Sequence, residues 1–451
     1  MKIKSTVFGL ALAGLALSPA AQAVDLVGVY GMALDNDPRL QAAEFRRQAA
    51  GESKSIARAN LLPQIGAGAQ WNRGESSSEF QSFDLGTNKL DTVNYDVSLR
   101  QSLYRQANYE SLDIARGQIS QAEALYELAF QDFLLRVSER YFTVLTLLDG
   151  VTFAEAEEKA FQRQYEQAEQ RFEVGLTAVT DVHEARATYD NARARAIVAR
   201  NNLEDAKEAL REVTGTLFEE YDALQEQLPL VDPDPANAQE WVQMALQSNP
   251  NVLAARAAVD IADSQARLAR SGHFPTLDLV GSVGRFENNN SRYTVPGEDG
   301  IQIFEGKLTS DDWRVSLVFD VPLYEGGRVS AQTRQARYLL DATGSDLEEV
   351  QRGAVRQTET AYRAVLAGIQ EVEAFRQAMI SAESALEATQ AGFEVGTRTI
   401  VDVLIAEQRK YQAQRDNSIA RHAYILRHLQ LKAVAGLLQP EDLQVVNQLL
   451  Q

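Results

Sequence analysis

The chain has 451 residues, no cysteine, and a formal net charge of −19 from 44 basic and 63 acidic side chains. This acidic balance, with no basic patch standing out, argues against a nucleic-acid partner. The missing cysteine excludes disulfides and an acylated N-terminal cysteine, so stability must come from packing or assembly.

Lys2 and Lys4 precede an apolar run from Val7 to Leu17 and then Ala21-Gln22-Ala23. A basic n-region, a short apolar region and an A-x-A site predict a signal peptide over 1–23, cleaved after Ala23. Loss of its two lysines leaves a mature charge of −21. The apolar run is too short to span a bilayer as a helix, and no later stretch of ~18 apolar residues exists, so no transmembrane helix is expected.

Residues 24–215 form a first repeat that opens with a short helix. Strands are expected over about 61–73 and 92–103, where Val93, Tyr95, Val97 and Leu99 alternate with Asn94, Asp96, Ser98 and Arg100. Alternation over ~10 residues, with one apolar and one polar face, fits an outer-membrane barrel strand. The intervening 74–91 is long and polar and reads as an external loop. Long helices follow over about 104–215, the first pair read as Gln106–Asp149 and Val151–Val213. Val182, Ala185, Tyr189, Ala192, Ala196, Ala199, Leu203, Ala206, Leu210 and Val213 keep a 3,4 spacing, a coiled-coil seam. A helix of ~65 residues would reach ~100 Å and must pack sideways against similar helices.

Residues 216–240, with Pro229, Pro233 and Pro235, connect to a second repeat over 241–436. Its strands are expected over about 274–286 and 312–322, its loop over 287–311, and its helices over about 324–436. A tail, 437–451, could fold back beside the connection. Trp71 and Trp313 fall where interfacial aromatics sit in barrels. The repeat is plainest at Arg171–Val182, which aligns with Gly392–Val403 at an offset of 221 residues. A period of half the chain signals duplication of a whole unit. Four strands cannot close a barrel, so either chains assemble or the strands do not cross a membrane.

His183, His273, His422 and His428 show no ligand spacing, and no nucleophile motif is present, so neither an enzyme nor a cofactor or metal site is expected. A periplasmic coiled-coil adaptor or scaffold is the alternative reading, but long helical hairpins of that kind lack paired barrel-like strands.

Arg171-Phe172-Glu173-Val174-Gly175-Leu176 with Thr180-Asp181-Val182, and Val395-Gly396-Thr397-Arg398-Thr399-Ile400-Val401-Asp402-Val403-Leu404, resemble the TolC family of outer-membrane channel-tunnels. Leu61-Leu62-Pro63-Gln64, His273–Leu279 and Pro322–Gly327 extend the resemblance through nearly the whole mature chain. It implies an α+β membrane protein: a homotrimer with a 12-stranded β-barrel in the outer membrane, continued by a 12-helix periplasmic α-barrel of long coiled-coil helices. It implies a passive exit duct for type I secretion or multidrug efflux, with outer-membrane lipid around it. Its partners would be a periplasmic adaptor protein and an inner-membrane ABC or RND-type transporter.

The same resemblance assigns Val174, Gly175, Leu176, Val395, Gly396 and Thr397 to helical tips where the adaptor docks. Asp402 matches an acidic ring at the tunnel entrance, and Arg398 matches a gate link to Thr180 and Asp181. Gln164 and Gln390 match weaker links. Two departures stand out. Ile405 replaces a second acidic ring, and Phe393 replaces a tyrosine whose hydroxyl latches to the aspartate, so that hydrogen bond cannot form here.

Overall fold

The computed structural model describes residues 23–80, 83–297 and 300–451. Apart from Ala23, the expected signal peptide lies outside them. Two compact units each draw on both halves of the chain. One comprises Met1–Gln41, Phe130–Trp241 and Thr358–Gln451, and the other Ala42–Ala129 and Val242–Gln357. The duplication is thus interleaved in space.

The second unit holds a four-stranded antiparallel sheet in the order β1-β2-β3-β4. Its strands are β1 (Gln64–Phe80), β2 (Phe83–Arg105), β3 (Thr276–Gly297) and β4 (Gly300–Asp320). The register sets residues from all strands level with one another: Ile65, Leu99, Gly281 and Val315, then Ala67, Val97, Val283 and Trp313. Period two puts these rows on one face, with Leu317 and Phe319 below them. On the opposite face Gly66, Ser98, Ser282 and Arg314 are level. From Phe319 to Asp311 the apolar side runs about 27 Å along the strand at ~3.4 Å per residue, the scale of a lipid-facing band. It ends at the ion pair from Arg285 Nε to Asp311 Oδ1, 2.6 Å. Trp71 Nε1 donates to Asp91 Oδ1 at 2.9 Å, one end apolar and the other hydrogen-bonded.

The strands are longer than expected. Segments 74–91 and 287–311, read from their polarity as loops, continue the ladders to Phe80–Phe83 and Gly297–Gly300. Backbone pairing needs no apolar side chain, so Ser, Thr and Asn can extend a hairpin that composition alone assigns to loop. Trp71 and Trp313 therefore lie inside their strands. At the opposite end Asp278, buried on β3, accepts from Arg100 Nη2 and Arg105 Nη2, both at 2.8 Å. A bulge between Ser102 and Tyr104 marks the same corner, just before the chain turns from strand to helix.

The helices, in chain order, are α1 (Leu26–Asn36), α2 (Pro38–Ala59), α3 (Gln106–Glu173), α4 (Val179–Thr214), α5 (Ala238–Ser248), α6 (Pro250–Ser271), α7 (Arg328–Glu394), α8 (Ile400–Ala435) and α9 (Pro440–Asn447). α3 does not end at Asp149. It runs through Gly150, because one interior glycine costs only about 1 kcal/mol and the turns on either side hold it. Breaks come instead at Gly175 and Gly396, with φ of 76° and 80°, a conformation glycine adopts freely. α4 and α8 both finish on left-handed glycines, Gly215 and Gly436.

Most of the seam residues expected on α4 are buried, among them Ala185, Ala192, Ala196, Leu203 and Leu210. The core of the first unit centres on α3, where Phe133, Leu134, Val137, Tyr141 and Phe142 are fully buried. The Tyr141 hydroxyl lies 3.1 Å from the Val24 carbonyl and 3.0 Å from that of Asp222, tying the start of the chain to the connection. The tail folds back: the Gln451 N–H donates to the Ala223 carbonyl at 2.8 Å, and the Ala223 N–H returns a bond at 3.0 Å.

Candidate functional site

The two turns joining α3 to α4 and α7 to α8 have the same construction. In the first, the Leu176 N–H reaches back to the Arg171 carbonyl at 2.8 Å, and the Gly175 N–H to Phe172 at 2.9 Å. In the second, the Thr397 N–H reaches Gly392 at 2.8 Å, and the Gly396 N–H reaches Phe393 at 3.1 Å. Both are Schellman closures with glycine in the left-handed position. Apolar side chains are left on the outside: Val174 is 70% exposed, Leu176 69% and Val395 75%. Thr397 folds inward enough for its hydroxyl to donate to the Gly392 carbonyl at 3.0 Å.

The helices that leave these turns start differently. α8 opens with a capping box. The Thr399 N–H and hydroxyl both donate to Asp402 Oδ2 at 2.9 Å, and the Asp402 N–H returns to Thr399 Oγ1 at 3.3 Å. Those two donations, with the nearby Arg398 charge, hold the Asp402 carboxyl below the usual carboxylate range. In α4 the capping position is Ala178, and Asp181 accepts instead from the Thr177 hydroxyl. Thr180 is exposed in the same turn.

Arg398 is exposed and, among the described residues, forms no ion pair with Asp181 or any other carboxylate within this chain. The link expected from the sequence is not made inside one protomer. Gln164 lies near Glu407 and helps to hold its carboxyl down; burial pushes that carboxyl up, against the pull of Arg163 and Lys410. Gln390 is half-buried near the end of α7.

Three contacts were not foreseen. The Arg171 guanidinium lies 4.9 Å from the centre of the Phe393 ring, a cation–π contact between the first and second tips. Glu157, fully buried on α3, bonds to Arg195 of α4 and Arg415 of α8. His422 Nδ1 sits 2.8 Å from the Thr146 hydroxyl. The last two had a sequence signal. Glu157, Phe161, Gln164 and Ala168 share one helical stripe, as do Ile400, Leu404, Glu407, Tyr411, Arg415, Ser418 and His422. Charge at an inward position of such a stripe calls for a partner. A cavity of about 780 Å³ lies beside this stripe, walled partly by Phe153, Met379, Arg421 and His422.

Residues 29–216 and 241–437 match the family described as outer membrane efflux protein. The chain belongs to the outer membrane efflux protein family. It is therefore a transport channel of the cell outer membrane, and the alternative of a periplasmic adaptor is set aside. Among family relatives, outer membrane protein TolC of Vibrio cholerae is 38% identical over 96% of this chain and 95% of its own. Its Escherichia coli K12 counterpart is 35% identical over 99% and 88%. The alkaline protease secretion protein AprF of Pseudomonas aeruginosa is 29% identical over 96% and 88%.

The fold is that of solved family channels. Vibrio cholerae VceC superposes with a TM-score of 0.73 at 20% identity, covering 91% of this chain and 96% of that one. Campylobacter jejuni CmeC gives 0.74 at 15%, covering 100% and 98%. The family's function is an exit duct for type I secretion and efflux, and this chain shares it.

Proposed function

We propose that three copies of this chain assemble into one passive duct, with twelve barrel strands in the outer membrane and twelve long helices in the periplasm. The observation that carries the reading is the open four-stranded sheet, with unpaired outer edges on β1 and β4 and an apolar face. Lipid tolerates no open edge, so β1 of one copy must meet β4 of the next. A periplasmic adaptor docks on the exposed Val174–Leu176 and Val395–Thr397 turns, and an inner-membrane ABC or RND-type pump provides the energy.

The tip is closed until the adaptor engages. Arg398, which pairs with no carboxylate among the described residues of its own chain, reaches Thr180 and Asp181 of a neighbouring hairpin in the assembled trimer. Asp402 from each copy forms an acidic ring at the entrance, with Ile405 making the next layer apolar. Gln164 and Gln390 give weaker polar links. Trp71 and Trp313 meet lipid.

In planar bilayers the double variant Arg398→Ser with Asp181→Ala should show higher single-channel conductance than the wild type. Unchanged conductance would remove both from the gate. Purification in detergent from outer membranes as a heat-sensitive oligomer is expected, and a soluble periplasmic monomer would end the duct reading.

A further inference from the structure

Glu157 joins three of the helices in the first unit, α3, α4 and α8. Its side chain is 1% exposed; Oε1 accepts from Arg195 Nη2 on α4 at 2.9 Å, and Oε2 accepts from Arg415 Nη1 on α8 at 3.0 Å. Tipward of it, Ile400 and Leu404 of α8 pack on Phe161, Ala168, Ala185 and Ala192, so α8 rests in the groove of the α3–α4 hairpin.

We propose that Arg195 and Arg415, gripping the buried carboxylate of Glu157, are an ionic clasp that holds α8 in that groove and sets the closed position of the tip. This rests on the reading of the tip as a gate whose helices part. The two halves of the clasp differ. Glu157–Arg195 lies within one hairpin and survives any movement of the hairpin as a body. Glu157–Arg415 crosses from the first repeat to the second, so it breaks when α8 leaves. Parting then strands a buried carboxylate oxygen that had a charged partner, a costly state. Exposed Arg398 is screened by salt, whereas the enclosed carboxylate is screened much less. The clasp therefore keeps the duct shut at ionic strengths that weaken the surface link.

Removing the carboxylate alone leaves two guanidinium groups facing each other with no anion between them. The full-length trimer carrying Glu157→Gln should be open about ten-fold more often in planar bilayers, and cells should admit large antibiotics normally excluded. Arg415→Gln should open it too, leaving Glu157 paired only to Arg195. Combining Glu157→Gln with Arg415→Gln breaks the same link and also removes the Arg195–Arg415 repulsion, so the double variant should open no more than Glu157→Gln alone. Two independent structural contributions would instead multiply, with the double variant far more open than either single one, and that result overturns the clasp. So does Glu157→Gln or Arg415→Gln with wild-type opening in a trimer of normal heat stability. If the wild type itself forms no channel, the duct reading fails instead, and the two failures are told apart by that control.

Discussion

Burial governs the chemistry of His422 more than any charge near it. The ring is enclosed by α3 and α8, beside Phe142 and Thr146, with Asp149 and Arg421 the charged groups that face it. Desolvation pushes its pKa down to about 4, only partly opposed by Asp149. The folded protein thus resists the proton that an unfolded chain takes up near pH 6.5. Between those values the unfolded state binds more protons, so stability is full above about 6.5 and declines as pH falls towards 4. The loss is about 3 kcal/mol at most. Glu407 works with the opposite sign: its raised carboxyl favours the folded state at low pH and costs stability as pH rises past the ordinary glutamate value. Thermal unfolding followed at pH 7, 5.5 and 4 should therefore show a falling midpoint. His422→Asn, which can keep the Thr146 bond without titrating, should flatten that fall; an unaltered slope would exonerate the ring. At Asp402 the same scale separates two roles. Asp402→Asn retains an oxygen for the Thr399 donors and should lower cation preference with little loss of helix stability. Asp402→Ala should also cost about 1 kcal/mol through the broken cap. An unaltered reversal potential in both variants would argue against the ring.

Helix ends separate what the sequence could tell from what it could not. The Val-Gly pairs at 174–175 and 395–396 were legible as turns because helix-compatible runs flank them and nothing else there breaks a helix. Gly150 looked similar and was not a break, since a helix stops only where its last carbonyls find partners. At Gly175 and Gly396 the following N–H groups supply them. Substitution tests the distinction. A Cβ at Gly150 meets nothing within 4 Å, and the backbone there is helical, so Gly150→Ala should stabilise the protein by about 0.5–1 kcal/mol. Gly175→Ala and Gly396→Ala also have open space, yet their positive φ makes alanine strained, at a cost of about 1 kcal/mol or more each. Hydrogen exchange should quicken at the altered tip and nowhere else. Equal effects at all three positions would contradict the turn geometry. The Arg171–Phe393 contact was hidden for a different reason: it joins side chains far apart in sequence, and no local pattern announces such a pair.

For the molecule as a whole, the alternating faces of β1 to β4, the alanine seam and the duplication were readable because each is a local period. The interleaving of the two halves and the length of the hairpins were not, since long-range pairing decides them. Closure of the sheet lies beyond a single chain altogether, and it is open to direct test because the chain has no cysteine. The antiparallel order leaves β1 and β4 as the only edges among the described strands. One cysteine on each, both on the apolar face, such as Ala69→Cys on β1 and Val315→Cys on β4, with same-face neighbours covered in a small panel for register, gives every chain two half-bonds. Adjacent strands lie ~4.8 Å apart, within the span a disulfide needs. A ring of three should oxidise to a ladder ending at the trimer band, with no larger species, while either cysteine alone gives monomer only. A reducing agent should collapse the ladder. Intramolecular closure would leave a monomer band in every lane, and an open-ended assembly would run past the trimer; either result would refute a three-copy barrel.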